Sequence, residues 1–157
     1  MLVTLRKIAA VGAIAFLAIL GGTATASAQP SAPHYPNGIT FKNQATTRCI
    51  DDSDFAFRTN ICNNSAHQDW GNIAPVGSNQ FENFSTHRCI DDSDFAFRTN
   101  ICNYSDNQKW IIHANGSGYT LENVATHRCI DDSDFAFRTN TCNNQPATPY
   151  QTFTFIV

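Results

Sequence analysis

The stretch from Arg48 to Asn60 reads Arg-Cys-Ile-Asp-Asp-Ser-Asp-Phe-Ala-Phe-Arg-Thr-Asn, and it recurs unchanged from Arg88 to Asn100 and from Arg128 to Asn140. The period is forty residues. Similarity extends outward from each copy. Phe41-Lys42-Asn43, Phe81-Glu82-Asn83 and Leu121-Glu122-Asn123 lie upstream at equal spacing, and Gln68-Asp69-Trp70 and Gln108-Lys109-Trp110 lie downstream. In the third copy Gln151-Thr152-Phe153 follows after a three-residue insertion. Three units therefore occupy residues 37–76, 77–116 and 117–157, and the chain reads as a repeat protein before any other property is considered.

Ahead of the repeats, Arg6 and Lys7 precede an uncharged run from Ile8 to Gly22 and an Ala-x-Ala site at Ala26 to Ala28. This is the pattern of a secretory signal peptide covering residues 1–28, and its apolar run is shorter than the ~20 residues needed to span a bilayer. Gln29 to Pro36, rich in Pro and Ser, reads as a flexible leader. Loss of Arg6 and Lys7 takes the formal charge from −3 to −5, so no basic surface is available to neutralise a phosphate backbone and nucleic acid is excluded as a partner. The expected product is a secreted monomer with no membrane span.

Within each unit β-branched and aromatic residues alternate with clusters of Asn, Ser and Asp, and no window keeps a 3.6-residue apolar period. The units are all-β. Three blades cannot close a propeller, which leaves one lobe of a threefold barrel as the natural role of each copy. The six cysteines repeat with the units as Cys49 and Cys62, Cys89 and Cys102, Cys129 and Cys142. Of fifteen possible pairings few respect the repeat, and bridging within each unit is the simplest. If each bridge joins directly opposite residues of a hairpin, Asp51 faces Asn60, Ser53 faces Arg58, Ile50 meets Ile61, and the turn falls at Asp54 to Phe57.

The order Cys-Ile-Asp, second cysteine, Gln-x-Trp resembles the ricin B-type lectin family over essentially the whole chain after residue 36. The Cys-Ile-Asp-Asp-Ser string also looks like short-loop variants from secreted bacterial, especially actinobacterial, members. The resemblance implies a β-trefoil: three four-stranded lobes about a pseudo-threefold axis, with the aromatic of Gln-x-Trp in the shared core. It also implies up to three shallow sugar sites, one per lobe. The carboxylates carried over are Asp51, Asp91 and Asp131, and the hairpin register sets Asn60, Asn100 and Asn140 beside them. An acceptor carboxylate and an amide would hold sugar hydroxyls while an aromatic ring covers the apolar face of the sugar. The family's stacking aromatic is replaced here by those Asn residues, so stacking falls to the turn, to Phe55, Phe95 and Phe135. Phe57 and its copies would then pack inward. Of the residues before the Gln, namely His67, Asn107 and Tyr150, only Asn107 matches the family, which makes the middle lobe, with Asn107 and Gln108, the best candidate.

Other chemistries fit less well. The acids Asp51, Asp52 and Asp54 and their copies equally suit turn formation and a solvated ion pair with Arg58, Arg98 or Arg138. A calcium loop would want more oxygen ligands and a Gly at the bend, and the five His show no metal-ligand spacing, so neither a metal nor a cofactor is expected. Three identical loops also offer no differentiated acid and base pair for glycoside hydrolysis. The expectation is a non-catalytic carbohydrate-binding protein for a galactose-type sugar or a polysaccharide. The alternative is a secreted protein-binding trefoil, an inhibitor or adhesin, that has lost sugar binding.

Overall fold

Each repeat folds as four short strands, and its Phe-x-Asn or Leu-x-Asn triplet shows why the chain turns where it does. Asn43 is fully buried, and its Oδ1 accepts the N–H groups of Ala45 and Thr46, both at 3.0 Å, which folds the chain back directly after the first strand. Asn83 and Asn123 do the same in the other units. The turn closes through Thr47, His87 or His127, each held at a φ of 55 to 59°.

The computed structural model describes residues 38–75, 78–133, 136–143 and 148–157. The signal peptide and leader expected from the sequence lie outside the described residues. The strands are β1 Thr40–Asn43, β2 Cys49–Ser53, β3 Ala56–Asn60 and β4 Trp70–Asn72; β5 Phe81–Asn83, β6 Arg88–Asp92, β7 Phe97–Ile101 and β8 Trp110–Asn115; and β9 Gly118–Asn123, β10 Arg128–Ser133, β11 Ala136–Thr141 and β12 Phe153–Ile156. A 3₁₀ turn carrying the Gln precedes the last strand of every unit.

The first and last strands of the units form a barrel. Strand β1 pairs with β12, β12 with β9, β9 with β8, and β4 with β5, all antiparallel. The circuit is completed by an antiparallel bridge between Ile39 and Trp70 and by the Trp110 N–H, which donates to the Asn79 carbonyl at 2.8 Å. The middle strands form three hairpins, β2–β3, β6–β7 and β10–β11, that cap one end. This is a β-trefoil with pseudo-threefold symmetry. No helix among the described residues is long and apolar enough to cross a membrane.

The core repeats too. Trp70, Trp110 and Phe153 are buried with Phe41, Phe81, Leu121 and the three Ile of the repeated block, and the indoles of Trp70 and Trp110 donate to the carbonyls of Ile50 and Ile90 at 3.2 Å. The cap closes on Phe57, Phe97 and Phe137, whose ring centroids stand 5.0 Å apart in all three pairs, edge to face. That triangle marks the pseudo-threefold axis, and the edge-to-face arrangement is the favourable one for aromatic rings.

All three within-repeat disulfides are present, with Cα separations of 5.1, 5.0 and 4.9 Å. The hairpin register built on them is shifted by two residues. Cys49 lies opposite Asn60, Ile50 opposite Thr59, Asp51 opposite Arg58 and Ser53 opposite Ala56, so the turn is the two residues Asp54 and Phe55. The physical reason is that the shorter turn ends the ladder at Asn60. Cys62 comes back over Cys49 only after the chain has left the strand, with Ile61 turned out to solvent at 78% exposure. A shift of two keeps the side chains within the ladder on their expected faces, while Ile61, expected to meet Ile50, falls outside it.

Candidate functional site

The cap hairpins have two faces, fixed by the alternation of side chains along a strand. In the first hairpin Ile50, Asp52, Phe57 and Thr59 face the neighbouring lobes, while Asp51, Arg58 and Asn60 share the other face, over which the lobe's own 3₁₀ turn packs.

On that outer face, Gln108 of the middle lobe is fully buried and donates through Nε2 to Asp91 Oδ2 at 3.1 Å and to the Ile101 carbonyl at 2.9 Å. Its Oε1 accepts from the Asn103 N–H at 2.9 Å. Gln68 holds Asp51 in the same way at 3.0 Å, and Gln151 holds Asp131 at 3.1 Å. Each Gln therefore fixes one carboxylate oxygen and the chain beyond the third strand together. The other oxygen, Oδ1 of Asp51, Asp91 and Asp131, is buried and accepts no hydrogen bond. Leaving a buried acceptor unpaired costs about 1–3 kcal/mol, more for a charged group. Here it happens three times at equivalent positions.

The expected companions of these acids are arranged differently from the sequence reading. Asn60, Asn100 and Asn140 lie opposite Cys49, Cys89 and Cys129 rather than opposite the acids, and each Oδ1 accepts the N–H of the next residue at 2.9 Å. Directly across from the acids stand Arg58, Arg98 and Arg138. Only Arg98 approaches its acid within ion-pair range, Nε to Asp91 Oδ1 at 3.9 Å, which is too long for a hydrogen bond. Phe55 and Phe95 occupy the hairpin tips at 93% exposure, as expected for stacking residues, and they lie beyond the Ser53 and Asp92 ends of their ladders rather than beside the acids. Phe135, the third member of that set, lies outside the described residues. Asn107 donates from Nδ2 to the Asp92 carbonyl at 2.9 Å, and His67 makes the equivalent contact to the Asp52 carbonyl through Nδ1 at 3.0 Å.

The other face carries acids that the sequence assigned to the turn or to a solvated ion pair with Arg58 and its copies, and they are instead buried and paired with the first arginine of the next repeated block. Asp52, Asp92 and Asp132 are completely buried. Asp52 accepts two bonds from Arg88, Nε at 3.1 Å and Nη2 at 2.8 Å, one from Thr99 at 2.8 Å, and one from Thr86. Asp92 is held likewise by Arg128, Thr139 and Thr126, and Asp132 by Arg48, Thr59 and Thr46. Each donor set comes from the next lobe, so these acids join lobes rather than bind ligands. The signal for them is the Thr-x-Arg triplet at Thr46, Thr86 and Thr126, which repeats with the same period. Among the described residues no group of three or more His, Cys, Asp or Glu side chains is placed to hold a metal ion.

Comparison with protein families and with curated proteins finds no match. Solved structures do match. They include a BEL β-trefoil, with a TM-score of 0.66 and 10% identity over 80% of this chain and 96% of that one. A second is SeviL bound to asialo-GM1 saccharide, with a TM-score of 0.62 and 11% identity over 76% and 96%. A third is a Polyporus squamosus lectin bound to a Neu5Ac-containing epitope, with a TM-score of 0.57 and 16% identity over 75% and 48%. At these identities the likeness is one of fold.

Proposed function

We propose that this chain is a secreted, non-catalytic lectin with a saccharide site in each lobe, at the outer face of the cap hairpin. The observation that carries the reading is the repeated carboxylate of Asp51, Asp91 and Asp131. One oxygen of each is anchored by a buried Gln, and the other lacks a donor. An ionised carboxylate only accepts, so the partner it calls for is a donor; the oxygen is buried, and a sugar hydroxyl supplies that donor once the exposed side chains of the hairpin's outer face give way to it. The exposed rings of Phe55 and Phe95 at the tips, with Phe135 as their copy, offer apolar faces for an extended saccharide. Three disulfides suit folding in an oxidising compartment and support secretion. Trefoil neighbours seen with saccharides support the same class of ligand.

A second reading has its own observation. Phe55, Phe95, Ile61 and Ile101 are 78% to 93% exposed, an apolar set that also suits contact with a protein partner. Glycan-array binding of the secreted chain, compared with the Asp51→Asn, Asp91→Asn, Asp131→Asn triple variant, separates the two. The lectin reading expects discrete glycan hits whose signal falls at least about tenfold in the variant, with its circular dichroism unchanged. Hits that survive the triple substitution, or no hits at all, hand the site to the protein-binding reading.

A further inference from the structure

We propose that Arg58, Arg98 and Arg138 select the ligand, and that it is an acidic saccharide, a sugar presenting a carboxylate or sulfate next to a free hydroxyl. This rests on the saccharide reading above and names the class of sugar. Each repeated block contains two arginines with opposite fates. The first, Arg48, Arg88 or Arg128, is bound in bidentate fashion to a buried Asp of another lobe. The second stands exposed on the outer face. Among the described residues, the side chains of Arg58 and Arg138 make no hydrogen bond or ion pair, and that of Arg98, half exposed, makes only the 3.9 Å approach to Asp91.

A solvated arginine is ordinary by itself. These three differ because each lies directly across the ladder from a buried carboxylate oxygen that lacks a donor. Two unmet demands therefore sit side by side in every lobe: an acceptor that needs a hydroxyl, and a planar fork of five N–H donors that needs acceptors. A neutral sugar meets the first and leaves the fork in water. A uronic acid or a sulfated sugar meets both, because its anionic group matches the guanidinium bidentately. The ligand anion faces Arg98 and Asp91, whose charges offset, together with the neutral Asn100. The next carboxylate, Asp94, is exposed in the turn beyond the end of the ladder, where salt screens its repulsion.

The test is an array holding each glycan in matched acidic and neutral forms: uronic acids beside their methyl esters, and sulfated galactosides beside their unsulfated parents. The wild-type chain is expected to bind acidic members about tenfold or more above their neutral counterparts. An Arg58→Gln, Arg98→Gln, Arg138→Gln variant should lose that margin while keeping its circular dichroism. The corresponding Lys variant, which keeps the charge without the fork, should recover less than half of the acidic signal. Which pair of arms shows the margin tells carboxylate from sulfate. Equal binding of neutral partners that still depends on Asp91, or a margin that survives the Gln variant, overturns this proposal alone. Binding that ignores both the Asp and the Arg substitutions overturns the saccharide site with it.

Discussion

Asp91 and Asp92 are neighbours in the chain, yet the two faces of their hairpin treat them oppositely. On the inner face Asp92 is enclosed by a bidentate Arg128 and two threonine hydroxyls from the next lobe. On the outer face Asp91 receives one firm bond, from Gln108, and its second oxygen has no hydrogen bond, only Arg98 Nε at 3.9 Å. Exposure is nearly the same for both, 0% for Asp92 and 4% for Asp91, so it does not distinguish a fully paired acid from a half-paired one. Partner count does. A fully paired buried charge holds parts together, and a half-paired one is left with hydrogen-bonding capacity to spare.

The contrast is open to direct attack. The largest effect is expected from Arg128→Gln, which leaves the buried charge of Asp92 without its cation. Loss of one partner from such a pair costs about 3–5 kcal/mol, read as a lower urea midpoint with an unchanged slope. Asp92→Asn should cost less, roughly 1.5–3 kcal/mol, because the Arg128 side chain is already 37% exposed and its freed head can return to water. A smaller loss from Arg128→Gln than from Asp92→Asn would reverse the assignment of which partner is trapped. At the low end, Asp91→Asn and Arg98→Gln should each shift stability by less than about 1 kcal/mol, since the amide keeps an acceptor for Gln108 and the arginine is half in water. A large loss at either position would make the outer face structural and erase the distinction.

The fold was legible in the sequence because the repeat is overt. Period, paired cysteines and the Gln-x-Trp triplets all point to three β lobes, and the buried Trp70, Trp110 and Phe153 follow from them. Phe55 is exposed and Phe57 packed, as expected, although the expected turn from Asp54 to Phe57 held both; the shorter turn puts Phe55 at the tip and Phe57 on β3. The hairpin register was not, because a disulfide constrains two Cα atoms to lie near each other without requiring that they be cross-strand partners. Cys62 meets Cys49 from outside the ladder, and that offset moved Arg58 into the place expected of Asn60. The inner network was hidden for a different reason. Its acids and donors are 34 to 47 residues apart at two of the lobe boundaries and 73 to 86 apart at the third, so the Thr-x-Arg triplet marks the donors but no local spacing ties them to their acids.

The inner-face contacts run in one rotational sense: Asp52 takes Arg88, Asp92 takes Arg128, and Asp132 takes Arg48. Each lobe thus gives its arginine to one neighbour and its carboxylate to the other, and β12 returns to β1 to close the circuit. Such an interface is heterologous and cyclic, the kind that builds trimers from identical subunits. The protein is in effect a trimer whose subunits share one chain. One forty-residue unit carries both halves of the joint, so the same contact serves at all three lobe boundaries.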